Sequence, residues 1–382
     1  MRFVGQPTDT TARAQTRKAI KRMMLTRGMQ VGDKMPTYRK LAEQFGVALL
    51  TIQRVMRDLA EEGLIYRLHS KGAFIKRVLE SDGQLSQVGL LYPASMSHLI
   101  EAAYLNQFLS GLVTRCDRSR IDLQVLSIRR TMQKIPAREV AARVDGVVLL
   151  GVLNEDYVAE FVAEGIPLVL ADGQASRAPV HSLAVDNAGG IRQVMEYLRS
   201  LGHRRIAYVE AHSPDFVANP GVGLLMESCD NRERREAYLA AMGRLDLGRY
   251  QRVCRAFDEQ GRFAPAMAAR DLLGQSEQPT AVLTDDTYQA AALHRCLGEL
   301  GIRIPRDLSM AAGIGARGDP LVGNQALTFA RGDFRGMGWR AIEILQMQAA
   351  GRQSALRGVE RIATTLVIGT TTARPRPHAR IE

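Results

Sequence analysis

The chain is poor in the features that mark disulfide scaffolds, metal sites and membrane spans. Four cysteines, Cys116, Cys229, Cys254 and Cys296, are scattered over 382 residues without a Cys-x-x-Cys pair. That argues against a disulfide frame or a zinc site and leaves reduced, small buried hydrophobes as the expectation for each. The longest apolar stretch, Val144–Leu153, is broken by Asp145 and is too short to span a bilayer. Residues 1–22 are polar and hold Arg13, Arg17, Lys18, Lys21 and Arg22 rather than the apolar run of a secretion signal, so a cytoplasmic location is expected. The histidines show no metal-ligand spacing, and neither a Gly-x-Ser-x-Gly elbow nor a Gly-Lys-Ser/Thr loop occurs. No catalytic residue, metal site or cofactor is therefore expected.

What is present is a chain long enough for more than one compact unit, with 46% apolar residues and a lopsided charge. Residues 11–77 hold 15 Lys/Arg against 5 Asp/Glu, which is nearly the whole of the net +11. A basic module on a near-neutral body is the electrostatic pattern of a nucleic-acid binder, although an anionic membrane surface would also suit such charge.

Within that module, apolar spacing predicts a helix from Ala12 to Thr26, with Thr10 or Thr11 as its cap. A second helix is expected from Thr37 to Gly46, and a third from Ala48 to Glu62 with Ile52, Val55, Met56 and Leu59 as one buried stripe. Leu64–Leu68 and Ala73–Arg77 read as two strands around a polar tip, His69-Ser70-Lys71-Gly72. This order is that of a winged helix-turn-helix whose third helix enters the major groove. Its outward face would carry Leu49, Leu50, Gln53, Arg54 and Arg57. Gln53 suits adenine edges, and the arginines suit guanine or phosphate.

The stretches Gly32-Asp33-Lys34-Met35-Pro36-Thr37-Tyr38-Arg39-Lys40-Leu41-Ala42-Glu43-Gln44-Phe45-Gly46-Val47 and Asp58-Leu59-Ala60-Glu61-Glu62-Gly63-Leu64-Ile65-Tyr66, followed by Lys71-Gly72-Ala73-Phe74-Ile75, resemble the GntR family signature. The resemblance covers residues 12–77. It implies that Arg39 contacts DNA, that Thr51 and Gln53 occupy contact positions, and that His69 and Ser70, beside Lys71, form the wing tip. One departure stands out. Where the family has Ser-Arg or Thr-Arg, this chain has Ala48-Leu49, so a capping hydroxyl and a polar reader are missing. Leu49 and Leu50 then have two readings, contact with thymine methyl groups or packing against protein.

Residues 78–87 are polar and suit a linker. Beyond them strand and helix alternate. Strands are expected at Val88–Tyr92, Asp122–Leu126, Gly146–Leu150, Pro167–Ala171, Leu183–Val185, Arg205–Val209, Gln251–Arg255, Ala281–Thr284 and Leu308–Ala312. Helices such as Ile191–Leu201, Ala264–Leu273 and Tyr288–Leu300 lie between them. The fold class is therefore α/β: parallel sheets, too many strands for one, arranged as two lobes around a cleft over residues 88–372.

Here Val144-Asp145-Gly146-Val147-Val148, Gly165-Ile166-Pro167-Leu168-Val169-Leu170-Ala171-Asp172, Val185-Asp186-Asn187, Leu201-Gly202-His203-Arg204-Arg205-Ile206-Ala207 and Leu300-Gly301-Ile302-Arg303-Ile304-Pro305 resemble the LacI-type, periplasmic-binding-protein-like effector domain. Together, the head and body resemble the arabinose-repressor architecture. The resemblance implies a repressor-type regulator: a homodimer that binds a double-stranded operator and answers to a small molecule, by analogy a carbohydrate. It implies that Arg234 and Asp286 bind effector, with Tyr92 and Ser95 at the first-strand exit and Phe263 offering a face to a sugar ring. The bland counterparts are a surface charge for Arg234, one of a cluster with Arg232 and Arg235, and a helix cap for Asp286. The rival function is a small-molecule-binding protein or sugar-active enzyme whose basic head docks elsewhere.

Overall fold

The computed structural model describes residues 9–26, 29–68, 71–77, 85–92, 102–127, 135–151, 154–175, 177–210, 229–259, 261–274, 277–316, 322–351 and 358–376. In the head, α1 (Asp9–Thr26), α2 (Tyr38–Phe45) and α3 (Leu49–Glu61) precede a hairpin of β1 (Ile65–Leu68) and β2 (Gly72–Ile75). Helix α1 starts three residues before the expected Ala12, so Thr10 and Thr11 lie inside it instead of capping it. Thr37 Oγ1 accepts from Lys40 N–H at 3.3 Å to start α2. Gly46, at φ 64°, ends α2 in the left-handed conformation that spares a side chain its usual clash. The short turn holds α3 against α2, and Ile20, Leu41, Ile52, Val55, Met56, Leu59, Ile65 and Ile75 close one dry core. The hairpin pairs Ile65 with Ile75, and Tyr66 stacks on Phe74 at 5.7 Å.

The expected linker is too long at its C-terminal end. Leu85 is buried in the body core and Gln87 already pairs in a strand, because both have apolar or ladder partners waiting. Residues 78–84 lie outside the described ones.

The body runs β3 (Gln87–Tyr92), α4 (Ala103–Ser119), β4 (Asp122–Ser127), α5 (Ala137–Ala141), β5 (Gly146–Leu150), α6 (Glu155–Ala163), β6 (Leu168–Ala171), β7 (His181–Val185) and α7 (Asn187–Ser200). Then follow β8 (Ile206–Val209), α8 (Cys229–Arg244), β9 (Arg252–Cys254), α9 (Pro265–Leu273), β10 (Ala281–Asp286) and α10 (Thr287–Glu299). The chain finishes with β11 (Ser309–Gly315), β12 (Thr328–Gly332), α11 (Phe334–Ala349), β13 (Gly358–Ile362) and β14 (Thr364–Val367). One six-stranded sheet has the order β13-β7-β6-β5-β3-β4 and is parallel throughout. The other has the order β14-β12-β11-β10-β8-β9, with β14 antiparallel to β12. The nine expected strands are present with ends shifted by up to three residues, whereas β12, β13 and β14 were not foreseen.

The chain passes between the lobes after β7, after β12 and after β13. The first two passages are built alike: Asp186 accepts from Gly189 N–H to cap α7, and Asp333 accepts from Gly336 N–H to cap α11. Helix α11, though made late in the chain, returns to the first lobe and crosses α4. They meet at glycines: a Cβ on Gly111 would lie 1.9 Å from Arg335 O, and one on Gly338 2.0 Å from Phe108 O.

Candidate functional site

Two faces need an account, the outward side of the head and the junction of the lobes. In the head, Ala48 starts α3 with no side-chain cap, which fits the substitution noted above. Leu49 and Leu50 are 44% and 55% exposed, while Ile52, Val55 and Met56 are fully buried. Gln53, Arg57, Arg39, Lys40 and Lys71 are exposed, and Arg54 is half-buried. Thr51 departs from expectation: it is buried at 8%, because it falls on the core side of the first turn. His69 and Ser70 lie outside the described residues. The cations of α1 are turned to structural work. Arg13 grips Asp58, Arg17 and Lys21 share Glu62, and Lys18 pairs with Asp145 of the body. Among the described residues, α2, α3 and the hairpin add the exposed cations Arg39, Lys40, Arg57, Arg67 and Lys71.

At the junction of the lobes, strand ends and helix starts from both sheets bring polar groups together. Arg234 projects from α8. Its Nη1 donates to Asp285 Oδ2 at 3.2 Å and its Nε donates to Asn187 Oδ1 at 2.8 Å, with Asp230 close by. Asp285 is fully buried and also accepts from the Tyr208 hydroxyl. Burial pushes Asp285 up to about 7, against the pull of Arg234. The same burial opposes the Arg234 charge, but the carboxylates of Asp285 and Asp230 outweigh it and hold the guanidinium firmly protonated. Asp172, at the end of β6 with φ 54°, is likewise raised to about 7, by burial first and then by the neighbouring Asp230 carboxylate.

Glu233, one residue before Arg234, ties the lobes. Arg361 of β13 donates to both its oxygens at 2.7 and 2.8 Å, and Gln174 Nε2 donates at 2.7 Å. Burial disfavours the Glu233 charge, yet these bonds and one from Asn187 hold its pKa below the usual range. A second tie runs from Ala103 N–H to the Tyr288 hydroxyl at 3.0 Å. Beneath the site Tyr208 stacks on Tyr238 with centroids 5.2 Å apart, and Tyr238 donates to Ile206 O at 2.8 Å.

Of the expected cleft residues, Arg234 is at the centre, and Tyr92 is buried at the end of β3. Ser95 lies outside the described residues. Phe263 bridges Phe257 and packs half-buried on the core beside α9 and α10. Asp286 takes its bland counterpart: its Oδ1 accepts from Gln289 N–H at 2.8 Å and caps α10. Asp285 makes the ion pair with Arg234, while the Asp286 carboxylate, besides capping α10, also helps to hold the Arg234 charge. The basic cluster divides, with Arg232 exposed, Arg235 paired with buried Glu210 at 2.6 Å, and Arg234 inside. Asp172, Asn187, Tyr208, Asp230, Glu233 and Asp285 were not singled out from the sequence as site residues. Only the doubled Asp285-Asp286 at a strand end and the Asp-Asn after β7 carried a signal.

This is a basic winged head on a two-lobed body with a charged centre between its sheets, the class of a DNA-binding protein joined to a ligand-binding fold. Residues 12–75 match the model of the bacterial regulatory proteins of the gntR family, and residues 195–372 match that of the periplasmic binding protein-like domain. The HTH-type transcriptional repressor PurR of Serratia proteamaculans (strain 568) is 27% identical over 301 residues, covering 72% of this chain and 80% of that protein. The lac repressor dimer bound to operator and the anti-inducer ONPF has a TM-score of 0.59 at 19% identity, covering 77% of this chain and 96% of that one. A LacI family regulator from Enterococcus faecium with bound ribose has a TM-score of 0.58 at 19% identity, covering 76% and 100%. The chain thus joins a head that matches the gntR-family model to a body whose second part matches the periplasmic binding protein-like model, and the body shares the fold of the lac-repressor structures. Among the described residues no helix is long and apolar enough to cross a membrane.

Proposed function

We infer that the protein is a transcriptional repressor that grips operator DNA with its head and changes that grip when a small molecule occupies the cleft of its body. The observation that carries this reading is one chain joining an exposed basic reading face to a buried Arg234–Asp285 centre at the meeting of two parallel sheets. DNA contact is assigned to Arg39, Gln53 and Arg57, with Arg54, Lys71, His69 and Ser70 at the margin. Effector contact is assigned to Arg234 and its partners, with Tyr92 at the near wall. An arginine with surrounding carboxylates and amides suits a polyhydroxylated ligand, because each hydroxyl both donates and accepts. A sugar is the proposed class, in keeping with the ribose-bound neighbour.

The working unit is a cytoplasmic homodimer whose two heads meet two half-sites. It regulates and does not catalyse. Ligand shifts the equilibrium between lobe arrangements, and a coupling of ~1–3 kcal/mol would change operator affinity ~5–150-fold. The test is fluorescence anisotropy on DNA from the protein's own upstream region, with and without a panel of monosaccharides. Tight, salt-sensitive binding shifted by one sugar is expected, as is weaker binding by Arg39→Ala. Equal binding to random DNA, unmoved by every sugar, would overturn the reading.

A further inference from the structure

The first turn of α3 shows solvent two leucines where a DNA-reading helix ordinarily presents polar groups. Leu49 and Leu50 do not belong to the head core, which Ile52, Val55, Met56 and Leu59 already close. They are continuous along α3 with exposed Gln53 and Arg57. The head around them also exposes Arg39, Lys40 and Lys71. Such cations favour a polyanion over an apolar protein surface. At the helix start Ala48 offers no side-chain acceptor, and its carbonyl takes the N–H groups of Thr51 and Ile52, so the cap leaves those of Leu49 and Leu50 to other acceptors. First-turn N–H groups left in this way suit a phosphate oxygen. Charge and continuity thus point to one occupant, the major groove of duplex DNA. The apolar group that groove displays is the C5-methyl of thymine.

Resting on the reading of the head as a DNA binder, we propose that Leu49 and Leu50 read thymine methyl groups, so that each operator half-site presents thymines at neighbouring steps under the start of α3. Leucine neither donates nor accepts, so it gains nothing from guanine or adenine edges. It leaves the cytosine or adenine amino group desolvated without a partner. Successive helix residues diverge by about 100°, so the two side chains touch separate steps. Base choice at these positions then rests on methyl burial, and hydrogen-bond readout falls to Gln53 and Arg57.

The test uses the full-length protein. Duplexes selected from a random library should share a half-site with thymine at two neighbouring positions. Replacing those thymines by deoxyuridine removes only the methyl groups and should weaken wild-type binding about fourfold per methyl. The same replacement elsewhere in the site should have no effect. The double variant Leu49→Ala/Leu50→Ala, whose changes are on the surface, should bind the thymine and deoxyuridine duplexes equally. A selected half-site without the thymines, or a wild-type protein indifferent to deoxyuridine, would overturn this inference and leave the DNA-binding role standing. Loss of dimer in sedimentation by the double variant, with its DNA response unchanged, would assign the leucines to a protein contact. Failure to select any duplex would overturn the role of the head as well.

Discussion

Lys18 Nζ of the head lies 2.5 Å from Asp145 Oδ1 of the body. The other oxygen of Asp145 accepts from Ser86 N–H, Ser86 Oγ–H and Gln87 N–H at 2.9, 2.7 and 3.0 Å. One carboxylate therefore fixes the first residues of β3 and receives α1. Burial would raise its pKa, but the bonds from Lys18 and Ser86 prevail and lower it. Reversing Lys18 to Glu should lower the unfolding midpoint in urea, and the loss should be smaller in an Asp145→Asn background, where the ion pair is already gone. The pair is partly exposed, so a coupling of about 1 kcal/mol is expected from the double-mutant cycle. Strict additivity would mean that the contact does no holding.

Arg234 and Asp285 are each other's main compensation in a dry place. Arg234→Ala leaves Asp285 with only the Tyr208 hydroxyl beside it. Removing one partner of a buried pair costs about 3–5 kcal/mol, so thermal unfolding should move down by several degrees. The effector-induced rise in melting temperature should disappear. Asp285→Asn keeps the packing and the Tyr208 contact, and should retain the fold while weakening ligand binding. Normal effector response in both variants would remove this pair from the site.

The pH dependence of the body follows from Asp172 and Asp285, both raised to about 7, and Asp172 is the one that can be tested by itself. Burial and Asp230 raise its folded pKa to about 7, above the unfolded 3.8. Between those values the folded state binds the extra proton. The contribution to stability is full below about 4 and is lost as pH rises through 7. Melting temperature should therefore fall from pH 5 to pH 8, and Asp172→Asn should flatten the slope and melt higher than wild type at pH 8. Asparagine also tolerates the φ of 54° at this site. A variant with the wild-type slope would refute the assignment.

Helices α4 and α11 approach through Gly111 and Gly338, leaving no room for a methyl group. Gly338→Ala must push the helices apart or distort them, at a cost of about 1–3 kcal/mol or more. The expected result is a lower urea midpoint by circular dichroism. An unchanged midpoint would show that the crossing is loose.

The head was legible because its periods are unambiguous. The stripe of Ile52, Val55, Met56 and Leu59 and the turn residues Gly46 and Gly63 mark α2, α3 and the hairpin within one or two residues. The alternating body was equally clear where strands are buried on both faces, as in Gly146–Leu150. Strands β13 and β14 escaped because edge strands such as Gly-Val-Glu-Arg-Ile carry exposed charge and lack an apolar run. Thr51 is buried and Asp286 caps a helix for a related reason. A motif gives a residue its position along the chain, and the direction of its side chain depends on the local turn. Asp285 could have been found by continuing the burial of β10 one residue beyond Thr284.

Strands β13 and β14 also set the order in which the protein can be completed. They fill one edge of each sheet, beside β7 and β12, and both come from residues 358–367. During synthesis the head emerges first and can fold early, as leading units generally do. Both lobes meanwhile wait with an unpaired strand exposed, a known invitation to wrong pairing. A frameshift or early stop beyond α11 would spare the head and leave two open edges. The resulting fragment would keep the exposed basic face of the head but be prone to aggregation, with both sheets of the body incomplete.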